Sequence, residues 1–133
     1  YRRQRQMCIR DRKVMDQYAG GIGTHYQFNE KQLAMAEEKI KKLQILAKGL
    51  AAADMHELMF IYELKERLTV CLTVIAHLRA RKETRWHSFA ENLDYPEKSD
   101  AWLCYVNSKK NGDQITMIRR DLVKGGETYE HRD

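Results

Sequence analysis

The sequence predicts a mainly α fold: an antiparallel helical hairpin or small bundle, followed by an ordered loop and a C-terminal β-hairpin. Two stretches carry apolar residues at spacings of three and four, which is the period of an amphipathic helix. A later stretch has two short β-prone runs on either side of an Asn-Gly pair, which is typical of a hairpin. The chain has 133 residues, 43% hydrophobic and 32% charged, which suits one globular domain.

The first twelve residues, YRRQRQMCIRDR, differ from the rest in charge. They contain five arginines and one aspartate, so most of the net charge of +5 lies here. The segment resembles the translation product of sequencing-adapter DNA, and we therefore expect residues 1–12 to be an artefact outside the native fold. A basic nucleic-acid-binding arm is the alternative, and its binding would depend steeply on salt. Without this segment, we expect no nucleic-acid partner.

Residues 13–28 are expected to form a linker or turn, because they mix aromatic residues with Gly20, Gly21 and Gly23. The Gly-Gly-Ile-Gly run also invites comparison with a dinucleotide-binding loop. That fingerprint needs a preceding apolar strand and a G-x-G-x-x-G spacing, and this segment has neither. We interpret the glycines as a structural turn that leads into the next helix.

The first amphipathic helix is expected to follow Asn29, which can cap it, with Gln32 at the third helical position. Gly49 is expected to end it. The apolar positions recur every three or four residues: Leu33, Ala36, Ile40, Leu43, Ala47 and Leu50.

The second helix is predicted to run from about Met55 to about Ala80, after a capping box formed by Asp54 and Glu57. Its N-terminal half is broadly apolar, so we expect burial on more than one side. The apolar stripe comprises Leu58, Ile61, Leu64, Leu68, Cys71 or Leu72, Ile75 and Leu78. Two helices alone cover each other poorly, which indicates a missing partner surface.

The polar and aromatic segment after Arg79 is expected to be an ordered loop, because Pro96 excludes an uninterrupted helix. The hairpin is predicted from residues 102–106 and 115–118, with Asn111-Gly112 at the turn. The tail, residues 125–133, is expected to be extended.

No catalytic, cofactor-binding or metal-binding residue is predicted within this chain. The five histidines are scattered, and the three cysteines lie far apart without a CxxC pair. No run approaches the roughly 20 apolar residues of a membrane-spanning helix, so we expect no direct membrane insertion. The expected location is the cytoplasm.

The densest group of charges follows the long helix and is interleaved with aromatic residues. Cations at the end of a helix oppose the negative end of its dipole, so a capping role and a recognition role both remain open. Arginine and aromatic residues together are typical of an interface. The cations are Arg79, Arg81, Lys82, Arg85 and His87, and the aromatic residues are Trp86, Phe89, Tyr95 and Trp102.

The same residues carry a resemblance to a known family. The order of these segments resembles the C-terminal helical domain of fumarate reductase and succinate dehydrogenase flavoprotein subunits. The segments are a long helix, then Glu83-Thr84-Arg85-Trp86-His87, then Asp94-Tyr95-Pro96-Glu97, and then Trp102. Thr84 replaces the serine of the E-S-R-G-x-H stretch of those subunits, and Trp86 replaces the glycine and one more residue. With its R-W-H, L-D-Y-P-E and W-L-x-Y-V-N-S runs, the chain is more similar to adenylylsulfate-reductase-like flavoproteins. The resemblance covers most of residues 14–133.

The resemblance implies that the chain is a fragment of an FAD-dependent oxidoreductase, with residues 29–133 as its C-terminal helical domain. FAD would be bound outside this fragment, which alone would be inactive. The family's helical domain packs on the rest of the flavoprotein subunit and commonly faces an iron–sulfur subunit, and partner subunits can hold the enzyme at a membrane. The candidates for interdomain or partner contacts are Arg85, His87, Asp94, Tyr95 and Trp102.

Two questions stay open at this point. The substrate could be fumarate, succinate, adenylylsulfate or another small oxidisable acid. A stand-alone helical module that binds a protein partner is the alternative function, and it predicts a monodisperse folded domain without flavin.

Overall fold

A computed structural model describes residues 2–123 of the chain. Its helices are α1 (Arg2–Tyr18), α2 (Glu30–Ala47) and α3 (Met55–Ala80), and its strands are β1 (Gln27–Phe28), β2 (Glu91–Asn92), β3 (Cys104–Asn111) and β4 (Gln114–Asp121). Two short 3₁₀ turns lie at Ile22–Thr24 and Asp100–Trp102. The mainly α prediction with a C-terminal β-hairpin is confirmed, whereas the predicted extended tail lies outside the described residues.

The predicted caps set the starts of α2 and α3. The Asn29 side chain accepts a hydrogen bond from the Gln32 N–H at 2.8 Å, and the Asp54 side chain accepts one from the Glu57 N–H at 2.9 Å. Each bond satisfies an amide that the first helical turn leaves without a helical partner. Helix α3 spans Met55–Ala80 as the pattern predicts.

The core lies where the three helices meet. Most of the predicted stripe residues of α2 and α3 are almost inaccessible to solvent, as their spacing predicts. Leu50 lies beyond the end of α2 and, like Leu58 and Leu78, is only partly buried. The end of α3 meets the start of α2, because Arg79 contacts Glu30 at 2.5 Å and also Glu37, so the two helices are antiparallel. The buried core residues of the two helices are Leu33, Ala36, Ile40, Leu43, Ala47, Ile61, Leu64, Leu68 and Ile75.

Helix α1 differs from the prediction, because residues 13–18 are helical and not part of a loop. These six residues include no glycine or proline, so nothing interrupts the helix before Tyr18. The turn that follows includes Gly20, whose φ of +73° suits glycine. The Asp16 side chain then accepts a hydrogen bond from the Gly23 N–H at 2.9 Å, so the glycines form a structural turn.

Helix α1 also buries polar groups without partners. Among the described residues, the buried side-chain atoms that lack a hydrogen bond are Gln4 Oε1 and Asp11 Oδ2. Asp11 is 1% exposed, and burial raises the pKa of its carboxyl despite an ion pair of 3.2 Å with Arg67. Buried polar atoms without partners destabilise a fold, and both of these lie in the first twelve residues.

The C-terminal hairpin contacts α3 through both strands. Its turn is shifted by one residue from the prediction: Asn111 pairs with Gln114, so Gly112 and Asp113 occupy the central positions. Gly112 has φ of +61°, which glycine adopts without strain. The strands extend to eight residues each, and Trp102 belongs to the preceding 3₁₀ turn and not to β3.

Candidate functional site

A buried carboxylate organises the loop between α3 and the hairpin. The side chain of Glu83 is 0% exposed. Its Oε1 accepts hydrogen bonds from Arg81 at 2.8 Å and Arg85 at 2.9 Å, and its Oε2 accepts from Arg85 and from the Ser99 N–H, both at 3.0 Å. The bidentate Arg85 contact fixes the carboxylate in one orientation.

The bonds to Glu83 favour its ionised form. Burial alone raises the pKa of this carboxyl, but the hydrogen bonds from Arg85, Ser99 and Arg81 outweigh burial and bring the pKa down to about 2. The Glu83 carboxylate also raises the pKa of Arg85. Glu83 is therefore charged at any physiological pH, and the cluster acts as a fixed structural unit.

The two arginines extend this unit to the hairpin. Arg81 donates to the carbonyl oxygens of Trp102 at 2.7 Å and Cys104 at 2.9 Å, and Arg85 donates to that of Ser99 at 3.2 Å. One carboxylate thus ties the end of α3 to the start of β3. We call Arg81, Glu83 and Arg85 the Glu83 cluster.

Thr84 is buried and forms hydrogen bonds to three other residues of the loop. It is 1% exposed, and its hydroxyl donates to the Tyr95 carbonyl at 2.8 Å and accepts from the Asn92 N–H at 3.0 Å. The Thr84 N–H donates to the carbonyl of Glu97 at 3.3 Å. Because a buried hydroxyl without partners is costly, this position needs a hydroxyl side chain.

The same loop is fastened to the start of α2. The side chain of Asp94 accepts a hydrogen bond from the Glu30 N–H at 2.8 Å, where a negative charge also suits the helix dipole. The short parallel pairing of β1 with β2 adds backbone bonds from the N–H groups of Glu91 and Leu93 to the carbonyls of Tyr26 and Phe28.

An aromatic rim lies on the outer side of this loop. Trp86 is 70% exposed and Phe89 is 72% exposed, and the Tyr26 ring lies 6.4 Å from that of Phe89. We call these three residues the aromatic rim. Beneath Trp86, an open cleft of about 230 Å³ is lined by both polar and apolar side chains, among them His77, Arg81, Arg85 and Val106.

Backbone strain is concentrated at the same corner. Among the described residues other than glycine, those with positive φ are His25 at 54°, Tyr26 at 62° and Ser88 at 73°. Residues other than glycine adopt this region at an energetic cost, and such residues cluster at ligand and partner sites. Two of them precede β1 and one precedes β2, so the strain flanks the aromatic rim.

The structure separates the five predicted contact residues into different roles. Arg85 lies in the Glu83 cluster, and Asp94 caps α2. The His87 ring is exposed, 3.8 Å from the Glu91 carboxylate. The Tyr95 side chain is 44% exposed, and the Trp102 ring lies 4.1 Å below the guanidinium of Arg119. Each of the five therefore has different neighbours.

Glu83 and Thr84 are the residues whose role the sequence reasoning missed. The sequence does carry a signal for Glu83, because Arg81, Glu83 and Arg85 alternate in charge at every second position. In an extended segment, side chains two apart point the same way, so two arginines can reach one carboxylate. For Thr84 we see no signal in the sequence, because its partners are backbone groups 8 and 11 residues away.

Several other kinds of site receive no support from residues 2–123. No three His, Cys, Asp or Glu side chains in that range are grouped as a metal ion requires. Burial raises the pKa of the Cys71 thiol, and all three cysteines are unpaired. Within the same range, no helix combines the length and apolar character needed to cross a membrane.

Similarity to a curated protein and to solved structures identifies the family, although no family model matches the chain. The alpha subunit of adenylylsulfate reductase from Megalodesulfovibrio gigas is 34% identical over 98 residues, which is 73% of this chain and 15% of that subunit. The structure of adenylylsulfate reductase from the hyperthermophilic Archaeoglobus fulgidus matches 96% of this chain and 20% of its own, with 38% identity and a TM-score of 0.88.

The chain belongs to the adenylylsulfate reductase family of flavoproteins. It matches the C-terminal region of those proteins, as the resemblance predicts, and spans 15% to 20% of their length. A structure of adenosine-5-phosphosulfate reductase in complex with sulfite also matches, with a TM-score of 0.88. Since the structural match covers 96% of the chain, it includes most of helix α1.

Proposed function

We propose that this chain is the C-terminal helical domain of an FAD-dependent oxidoreductase subunit, of the adenylylsulfate reductase type, and that it packs on the flavin-binding part. The observation that carries the proposal is the 34% to 38% identity to one region of much longer flavoproteins. FAD and the reacting groups then lie outside this chain. The names of the relatives favour adenylylsulfate over fumarate or succinate as the substrate.

The Glu83 cluster supports a positioning role for the loop. Four hydrogen bonds fix the carboxylate, and Thr84 and Asp94 fasten the loop to itself and to α2. A loop held this firmly loses little conformational entropy when it docks, which favours tight packing. Arg85 and Asp94 then act by positioning the loop and not by direct contact.

The aromatic rim is the part of the loop best suited to touch another surface. Trp86 and Phe89 each have more than two thirds of their area exposed, and large rings of this kind gain free energy when a partner covers them. We propose that the rim, together with His87 and Tyr95, contacts the rest of the subunit or an iron–sulfur partner. The complete enzyme would be cytoplasmic, with any membrane association made through partner subunits.

We also propose that residues 1–12 are foreign and occupy the place of a native helix. The unpartnered buried atoms of Gln4 and Asp11 support this, because native helices rarely bury such groups. Sequencing the source DNA upstream of Lys13 tests the point. An apolar residue in place of Asp11 is the expected result, and recovery of YRRQRQMCIRDR from independent genomic DNA would contradict it.

The proposed function is tested by the full-length reading frame. The product is purified and its visible absorption spectrum is recorded. A spectrum of oxidised flavin is expected. A colourless, folded and monodisperse product would instead support the stand-alone interaction module, which the closed core of the three helices also permits.

A second experiment tests the rim within the full-length subunit. Replacement of Trp86 and Phe89 by alanine is expected to weaken flavin retention or binding of the iron–sulfur partner. The matched control replaces Tyr105, an aromatic residue on the hairpin that is 52% exposed, by alanine. Equal behaviour of the rim variant, the control and the unmodified subunit would contradict the role of the rim.

A further inference from the structure

Helix α3 carries a second apolar stripe that faces away from the core. It consists of Met55, Met59, Tyr62, Val70 and Val74, which are 73%, 60%, 59%, 60% and 41% exposed. We call these five residues the outer stripe. Their spacings of four and three, with an eight-residue step across Glu66, keep them on one side of the helix.

The outer stripe lies opposite the buried stripe. Residues two apart on a helix are about 200° apart, so Met59 faces away from Ile61, and Val70 faces away from Leu68. Ile61 is 4% exposed and Leu68 is 0% exposed. A helix that is apolar on two opposite sides is covered on both in its native setting. Within the described residues α3 is buried on one side only, so the expected burial on more than one side is not found there.

Two threonines near the outer stripe form their side-chain hydrogen bonds within α3. The Thr69 hydroxyl donates to the Lys65 carbonyl at 3.2 Å, and the Thr73 hydroxyl donates to the Thr69 carbonyl at 2.9 Å. Each hydroxyl is thus satisfied within its own helix, so each threonine can pack through its methyl group. Two exposed acidic residues, Glu63 and Glu66, lie on the same side of the helix as the stripe.

We propose that the outer stripe packs on the part of the same flavoprotein subunit that lies outside this chain. The proposal rests on the proposed function. Its support is the length of the homologues: this chain spans 15% to 20% of them, so most of such a subunit is available to cover the stripe. Helices α1 and α2 and the hairpin contact α3 but leave these five residues 41% to 73% exposed, although Val70 lines a cleft with Asp11 and Met15 of α1. The two methionines suit such a contact, because their side chains adapt to an irregular surface.

Methionine oxidation in the purified full-length subunit tests the proposal. Each methionine is oxidised by dilute peroxide, and its rate is divided by its rate in the urea-unfolded subunit, because oxidation follows exposure. We expect Met55 and Met59 to be protected on the order of tenfold. Rates within about twofold of the unfolded subunit would overturn the proposal. Protection that disappears on dilution would also overturn it, because that result indicates a second copy as the occupant.

Charge substitution gives an independent measurement. Met59→Glu in the full-length subunit is expected to lower the melting temperature, whereas Lys65→Glu, at an exposed position off the stripe, is expected to leave it unchanged. Equal melting temperatures for both variants would contradict the proposal. The two hypotheses fail separately: absence of flavin from the unmodified subunit refutes the proposed function, whereas a flavin-containing subunit with freely oxidised Met59 refutes the docking face alone.

Discussion

Replacement of Glu83 by glutamine removes the charge that holds the loop. The glutamine side chain would keep the size of the original, but an amide cannot accept four hydrogen bonds from two arginines and a backbone N–H. Both arginines would lose their counter-ion while they stay only 32% and 21% exposed. Loss of one partner from such a buried pair is strongly destabilising.

The lowered pKa of Glu83 sets the size of the expected loss of stability. A pKa that falls from 4.5 to about 2 on folding corresponds to about 3 kcal/mol of stability from the ionised form. Because the folded pKa is the lower one, this stability is present above pH 4.5 and is lost as the pH falls toward 2. Between pH 6 and pH 3, the contribution of Glu83 to the free energy of unfolding should fall by about 2 kcal/mol.

Urea denaturation of the chain, followed by far-ultraviolet circular dichroism, measures both quantities. Glu83→Gln should lower the free energy of unfolding by about 3 kcal/mol at pH 7 and should remove most of the loss between pH 6 and pH 3. The control is Glu63→Gln, at an exposed carboxylate of α3, which should change stability by less than about 0.5 kcal/mol. A Glu83 variant as stable as the control at pH 7 would refute the reasoning.

Three further substitutions test other parts of the fold by the same denaturation assay. Thr84→Val should lower the free energy of unfolding by about 1–3 kcal/mol, because it leaves two buried backbone groups without partners. Thr84→Ser keeps the hydroxyl and should lower it less. Equal losses for the two variants would contradict the role of the hydroxyl. Asp94→Ala should lower the free energy of unfolding by about 1 kcal/mol, because the Glu30 N–H loses its hydrogen-bond partner. An unchanged urea midpoint would contradict this capping role. Asp11→Leu should stabilise the chain at pH 7 and less so at low pH, because burial raises the pKa of Asp11 and a protonated carboxyl is less costly to bury. A loss of stability in that variant would contradict the view that Asp11 is foreign to the core.

The helices could be predicted because their signals are local. The Asn29 and Asp54 caps and the three-and-four spacing of Leu33, Ile40 and Leu64 depend on neighbours within one or two turns. The hairpin also follows from a local signal, although the turn shifts by one residue because Gly112 and not Asn111 takes the first central position.

The candidate site could be predicted only in outline. Composition indicates an interface in residues 79–102, but Asp94 finds its partner 64 residues away at the start of α2. Such contacts depend on how the helices pack and leave no periodic pattern in the sequence. Helix α1 departs from the prediction for a different reason, because three glycines within four residues favour a loop that begins before Tyr18.

The most direct test of the central claim compares the full-length subunit with a version that ends before Lys13. Bound flavin per chain is measured for both after the same purification. If this region packs on the flavin-binding part, the intact subunit contains flavin and the truncated one loses most of it. A colourless intact subunit, or equal flavin contents in the two proteins, would contradict the account.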